Sequence, residues 1–532
     1  MSKRLYNFIK NLLLPSLGFS LITGVFAALL ITLFKIAAEW VVHLSNSIYG
    51  YVRENPIWLI LLILVVSAIG FIESLLLSLS HSSRGGGIPT SVAAIRGIIS
   101  FKWIKSLILL PFSALLTFLS GLPLGTEGPC VQMGTGVGDG VIACIGKERH
   151  RGWRRYIMTG GASAGFSIAT SSPITAIIFS MEELHKHFSP LLLTVASLSV
   201  TSAQITMRIL ASFGIGSVGM FHVSPLEALP LALIFVPVLI GLATGAFSIL
   251  FTRLYHFLDK LMRHVLKKLS VRVVLPVLFA SAALVGFFFA DALGSGHALV
   301  DSLLSAKSAW YLLLLTFILR AIGMMLSNTS GATGGVFLPT LAFGAIVGSL
   351  TANVLIALGW MPREFYTAAV VLGISAFLGS TSRIPLTASV FAIEALGGIN
   401  NVLPIIISSV VSLLVVEMSG LEDFTDTVIE AKVHRITNGK SPSVFVSAFE
   451  VKENSFAVGK EMRDVLWPNA SVVVSFKHAD KNLGMSKIYD GDVITVRYET
   501  YNPAASLEEF EALVGKQTDT IASEINLGTA SV

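Results

Sequence analysis

The chain repeats itself at an almost constant offset. Ser120-Gly121 recurs as Ser330-Gly331, and Pro129, Gly134, Val137 and Gly138 recur as Pro339, Gly344, Val347 and Gly348, each 210 positions later. Gly161 and the run PITAIIFSMEEL (173–184) recur as Gly373 and PLTASVFAIEAL (385–396), 212 positions later. Three separated blocks holding one register imply two copies of one structural unit, over roughly 10–220 and 228–430. Duplicated halves are common in transporters, where the substrate site lies between the copies. The residues do not say whether the two copies run in opposite directions.

Both copies are built from apolar segments. The first, near 15–45, is too long for a signal-peptide core and reads as a spanning helix. Others follow near 57–80, 104–124, 158–182, 188–212, 228–256, 272–293, 309–328, 335–358, 366–380, 384–398 and 402–419. Only 13% of residues are charged, against about 25% in a typical soluble domain. The deficit stops near 431: the last hundred residues carry 11 Lys+Arg and 13 Asp+Glu, leaving 26 and 19 upstream. The fold class expected is therefore an all-α polytopic membrane protein followed by a small α+β domain. Basic stretches at 2–4, 147–155 and 253–272 place those loops, and with them both termini, in the cytoplasm of a cell-membrane protein.

Several apolar segments are short or broken by Gly and Pro, and broken backbone survives in lipid only where it is buried or lines a cavity. Three such breaks precede apolar helices: Gly85-Gly86-Gly87-Ile88-Pro89, Gly125-Thr126-Glu127-Gly128-Pro129 and Gly335-Val336-Phe337-Leu338-Pro339. Glycine lets backbone approach a ligand closely, and proline suits a first helical turn. The N–H groups of that turn lack intrahelical partners and carry the positive end of the helix dipole. Converging N-termini could thus hold a dehydrated anion without a full positive charge, which would bind too tightly for release.

An intramembrane carboxylate is costly and is a functional candidate by default. Glu127 lies in one of the three loops, and Glu182-Glu183 end the PITAIIFSMEEL helix. Glu182 reads equally well as an interfacial acidic residue. Glu394, its repeat counterpart, reads as structural, and Glu73 has no assigned role. Cys130 and Cys144 cannot make a disulfide framework, and the histidines lack metal-ligand spacing. No phosphate-binding or nucleophile motif indicates an enzyme, and no cofactor is expected.

The three loops and the two matching helices resemble the CLC chloride channels and chloride–proton antiporters, whose signatures GSGIP, G(K/R)EGP and GxFxP follow in this order. The resemblance covers about 10–430. It implies inverted repeats, a homodimer with one pore per subunit, and transport of chloride or a similar small anion. It makes Glu127 the gating glutamate and Glu183 the internal proton glutamate, favouring proton antiport over a passive channel of the same fold. Anion contacts fall on Gly86, Gly87, Ile88, Gly128, Val336, Phe337 and the position of Phe424. This chain departs from the pattern at three places: Gly86 replaces the serine of GSGIP, Thr126 the basic residue of G(K/R)EGP, and Phe424 a tyrosine that points its hydroxyl at the central anion. Backbone N–H groups of Val336 and Phe337 must then carry the central site, and nitrate or bromide should compete well with chloride. A reading from another class, a membrane-anchored ligand sensor, does not need duplicated broken helices.

After a helix-like stretch, 425–435, a linker (432–442) ends in the breaker Asn438-Gly439-Lys440-Ser441-Pro442. Strands are expected at 444–449, 471–477 and 493–498, short helices at 460–465 and 507–514, and a flexible end from 517. This module, 443–516, is similar to the ligand-binding TrkA-C (RCK-C) domain, which implies dimerisation and a small ligand such as cyclic di-AMP.

Overall fold

In the computed structural model, the residues described are 13–79, 84–146, 148–216, 219–221, 226–305, 308–437, 440–453, 455–468, 471–479 and 487–521. The basic start at 2–4, Lys147, the Asn438-Gly439 breaker and the end from 522 lie outside them.

The first half contains α1 (Leu14–Glu54), α2 (Leu59–Leu79), α3 (Ile88–Ile95), α4 (Trp103–Leu119), α5 (Glu127–Ile145), α6 (Arg154–Thr170), α7 (Pro173–Phe179, continued as a π-turn at Ser180–His185) and α8 (Pro190–Ser212). The second contains α9 (Phe235–Lys268), α10 (Val271–Phe288), α11 (His297–Ser305), α12 (Trp310–Ser330), α13 (Phe337–Ala357), α14 (Tyr366–Thr381), α15 (Pro385–Ala395) and α16 (Val402–Glu417). Among the described residues nine helices are long and apolar enough to cross a membrane, with shorter apolar helices at Trp103–Leu119 and Pro385–Ala395.

Small residues set the closest crossings, because a side-chain-free position lets backbones touch. On α5, Gly134 and Gly138 share a face four residues apart. A Cβ added at Gly134 would lie 2.0 Å from the Gly161 carbonyl of α6, and one at Gly161 2.1 Å from the Gly134 carbonyl. The second half repeats this crossing more loosely, with 2.7 Å from an added Gly344 Cβ to the Gly373 carbonyl.

The direction of the copies is settled by two glutamates. Glu394, on the last turn of α15, accepts from the first-turn N–H groups of Ile174 (3.0 Å) and Thr175 (2.9 Å) on α7. Glu182, at the far end of the α7 helix, accepts from Leu386 (3.0 Å) and Thr387 (2.6 Å) on α15. Each carboxylate also takes the threonine hydroxyl, at 2.7 and 2.6 Å. Each helix thus caps the start of the other, so equivalent helices are antiparallel and the repeats are inverted. Carboxylates at helix N-termini satisfy both orphan donors and dipole.

After α16 the chain forms α17 (Phe424–Ile436), whose N-cap Asp423 accepts from the Thr425 N–H at 2.7 Å. The C-terminal domain is one antiparallel sheet of order β2-β3-β1-β4, from β1 (Ser443–Glu450), β2 (Val472–Lys477), β3 (Val493–Thr500) and β4 (Gln517–Ile521), with α18 (Pro503–Leu513) between β3 and β4. Of the two short helices expected, 460–465 holds only a 3-10 turn at Met462–Asp464 and 507–514 becomes α18. One expectation is corrected: residues 517–521 are not a flexible end but an edge strand paired with β1. A polar sequence (QTDTI) carries little hydrophobic signal, yet its backbone satisfies the open edge of β1. The helix α17 likewise reaches Ile436, beyond the expected start of the linker at 432.

The domain docks on the loop before α6. Phe456 meets Trp153 edge-on at 5.2 Å between ring centroids, and the Tyr156 hydroxyl donates to the Asp464 carbonyl while accepting from the Leu466 N–H at 3.1 Å. The buried Arg155 reaches the Trp467 carbonyl at 3.1 Å and pairs with Glu509.

Candidate functional site: a junction of three broken helices

The three Gly/Pro loops meet in the interior. Gly125 and Gly335 exchange two backbone hydrogen bonds of 2.7 Å, a one-rung antiparallel bridge between the two repeats. An added Cβ on Gly128 would lie 2.6 Å from the Gly335 Cα and 3.1 Å from the Gly87 Cα. Only glycine permits this approach, and it brings the starts of α3, α5 and α13 to one place. Gly87 has φ +147, a conformation that further demands glycine.

Gly86, Gly87, Ile88, Gly128 and Phe337 are buried there, and Val336 is partly buried. The first-turn N–H groups of the three helices have no intrahelical partner. One is already used: the Gly87 N–H donates to Gln132 Oε1 at 2.8 Å, and Gln132 Nε2 donates to Ser106 at 3.0 Å. Gly87 therefore shapes the loop and does not offer its N–H to a ligand. Gln132 was missed in the sequence, where an amide in an apolar helix has no distinguishing pattern.

Glu127 is 1% exposed on the first turn of α5. Its Oε1 accepts from the Thr126 hydroxyl at 3.0 Å, so Thr126 orients the carboxyl where the signature has a basic residue. Among the described residues its Oε2 has no hydrogen-bond partner, and it lies against Gly125, where an added Cβ would be 2.4 Å away.

Glu183 sits in the π-turn that ends the α7 helix, also buried, with Oε2 again unpartnered among the described residues. A π-turn offsets side chains from α-helical register and is frequent at functional sites. The Thr425 side chain reaches its carboxyl. Arg96 holds the backbone from below, donating to the Glu183 and Leu184 carbonyls at 3.1 and 3.0 Å. Around it lies an ionic cluster, with Lys186 on Asp423 (2.8 Å) and Asp426 (2.5 Å), and Arg96 on Asp426 (3.3 Å).

A phenylalanine cluster links α6 and the α7 helix that leads to Glu183 with the start of α13. Phe166 stacks on Phe179, one turn before Glu183, at 4.4 Å, and meets Phe337 edge-on at 5.0 Å. Phe337 in turn meets Phe391 at 5.6 Å. Phe424 is 1% exposed, packed on Tyr255 (4.9 Å) and Phe251 (5.3 Å).

Glu73, without a role in the sequence, is a brace. Its Oε1 accepts from the Thr333 N–H (2.9 Å) and Ser113 (3.2 Å), and Thr117 donates to both oxygens at 3.1 Å. It fixes the Thr333-Gly334-Gly335 backbone, one rung of the Gly125–Gly335 bridge. Cys130 is buried packing, and Cys144 is exposed.

The helix arrangement is that of known transport proteins. A slow cyanobacterial Cl-/H+ antiporter superposes with a TM-score of 0.71 at 21% identity, over 79% of this chain and 98% of that one. A CLC-type fluoride/proton antiporter superposes with a TM-score of 0.63 at 20% identity, over 76% and 95%. In sequence, the chain is 27% identical over 418 residues to the H(+)/Cl(-) exchange transporter ClcA of Cronobacter sakazakii, spanning 77% of this chain and 88% of the relative. The corresponding protein of Vibrio cholerae is 28% identical over 414 residues, 75% and 86%. Residues 69–417, which hold all three loops and most of both repeats, match the voltage gated chloride channel family, and the chain belongs to it.

Proposed function

We propose that this protein exchanges chloride, or a similar small anion, for protons across the cell membrane. The observation that carries this is a pair of buried glutamates that, among the described residues, each keep one unpartnered carboxylate oxygen, Glu127 in the three-loop junction and Glu183 on the π-turn that ends the α7 helix. Ionised, Glu127 occupies the outer anion position with its free oxygen. Protonated, it leaves that position to an anion. Glu183 passes the proton to and from the cytoplasmic side, and the phenylalanines keep water out of the space between. Anion contact falls to main-chain N–H groups of Ile88, Gly128, Val336 and Phe337, since Gly86 and Phe424 supply no hydroxyl. The similarity to proteins described as H(+)/Cl(-) exchangers supports the same reading.

The test is reconstitution in liposomes under a chloride gradient, with no pH gradient and no ionophore, following internal pH. Uphill proton movement is expected, lost in both Glu127→Gln and Glu183→Ala, with anion flux surviving in Glu183→Ala. Anion flux without uphill proton movement in the native chain would instead make it a passive channel.

The C-terminal domain is read as a regulatory module of TrkA-C type, and the protein as a homodimer with cytoplasmic termini. Exposed Ile174, Leu193, Leu386, Leu403, Ile406 and Val410 on α7, α8, α15 and α16 offer the apolar face that a partner subunit would cover. Calorimetric titration of the full chain with cyclic di-AMP tests the nucleotide; absence of heat at millimolar ligand removes it.

A further inference from the structure

Between the C-terminal domain and the membrane part lies a cavity of about 860 Å³. Its walls are the ends of α4 and α5, the loop before α6, and one face of α18. Five cations line it: Lys102, Lys105, Arg151, Arg154 and Arg155. The three lining carboxylates are each taken by an arginine. Asp139 binds Arg154 at 2.6 and 3.0 Å, Glu508 binds Arg151 at 2.5 Å, and Glu509 binds Arg154 and Arg155. Lys102 and Lys105 are exposed and, among the described residues, have no carboxylate partner; Lys105 donates only to the Leu79 carbonyl at 3.0 Å. The cavity therefore has a surplus of positive charge concentrated at its α4 side.

That side is also apolar. Ile104 lines the cavity and is 54% exposed, and it continues along α4 into Ile108 (54%) and Phe112 (63%). Spacing of four residues puts all three on one helix face. Exposed side chains of this kind on a helix packed into the membrane part face acyl chains. A basic pocket opening onto an apolar track fits an amphiphile with an anionic head, at the interface where such heads lie. A water-soluble phosphate compound would use the cations and leave the track without a role.

We propose that this cavity binds the phosphate headgroup of an anionic phospholipid, with the acyl chains along Ile104, Ile108 and Phe112. The lipid would touch both α4 and α18, so it would tie the C-terminal domain to the bilayer in proportion to the anionic lipid present.

The experiment measures lipid retained by the detergent-purified full chain, using phosphatidylglycerol, phosphatidylcholine and glycerol phosphate as probes. The native chain should retain phosphatidylglycerol, and Lys102→Gln/Lys105→Gln should retain at least fivefold less. Lys102→Arg/Lys105→Arg should retain it fully, which separates lost charge from lost folding. Phosphatidylcholine should not displace the bound lipid. Equal retention in the glutamine variant overturns the proposal. So does phosphatidylcholine bound as well as phosphatidylglycerol, which would mean a non-selective lipid layer. Displacement by glycerol phosphate alone would mean a soluble-anion site and overturns it too.

Discussion

The two repeats share their frame and differ in their chemistry. Glu182 and Glu394 are equivalent by sequence and do the same job, each capping the other's helix. One residue further, Glu183 corresponds to Ala395, and Glu127 corresponds to Phe337. Among the described residues the two glutamates with a free oxygen, Glu183 and Glu127, both belong to the first copy, and the second copy answers at their positions with an alanine and a phenylalanine; its own unpartnered carboxylate oxygen, Oδ1 of Asp301, lies elsewhere, on α11 beside His297. Residues kept in both halves hold the fold about its pseudo-twofold axis. On the proposed reading, the residues that break the symmetry give the pathway a direction, because the proton-carrying carboxylates belong to one copy only.

The largest expected effect comes from erasing that asymmetry. Glu183→Ala makes the first copy resemble the second, and uphill proton movement should fall below detection while anion flux persists. Ala395→Glu in that background should not restore it, because the new carboxylate lies on the other side of the axis. Restoration in the liposome assay would show that position within the repeat, not side, governs coupling.

Next comes the tightness of the two helix crossings. Gly134→Ala forces a Cβ to 2.0 Å from backbone, and Gly344→Ala to 2.7 Å. Overpacking typically costs about 1–3 kcal/mol, and more where only backbone can move. Gly134→Ala should prevent recovery of monodisperse protein, while Gly344→Ala should be recovered with a lowered Tm. Equal behaviour in size-exclusion and thermal unfolding would mean that the first crossing relaxes as easily as the second.

The caps should be alike. Glu182→Gln and Glu394→Gln each weaken charge-assisted bonds to two N–H groups and a hydroxyl, about 1–3 kcal/mol. Thermal unfolding should give similar losses, and a large difference would assign one of them a transport role. The smallest effect is expected of Phe424→Tyr. One added hydroxyl donor is worth about 0.5–1.5 kcal/mol, a few-fold shift in the chloride-to-nitrate flux ratio. An unchanged ratio would mean that the ring packed on Tyr255 and Phe251 does not turn its edge toward the anion.

Much of this was legible in the chain. Apolar length marked the spanning helices, and the strand and turn signals of 443–500 were local. The register of the repeat marked the halves, and Gly/Pro breaks before apolar helices marked the three loops. Other features had no local signal. Gln132 and Glu73 act on partners 45 and 260 positions away, Gly87 and Thr333. The strand at 517–521 exists because β1 has an open edge, not because of its own side chains.

By itself the sequence determined that the chain is a duplicated membrane protein with anion-compatible helix starts and intramembrane carboxylates. Periodicity, hydropathy and glycine placement are properties of neighbouring residues, and they survive without a fold. Tertiary structure decided that the copies are inverted and that Gly87 is occupied by Gln132. It also decided which glutamates have all their oxygens satisfied and which keep one free. Hydrogen-bond satisfaction in a low-dielectric interior depends on what arrives from distant segments, and only the packed chain brings those segments together.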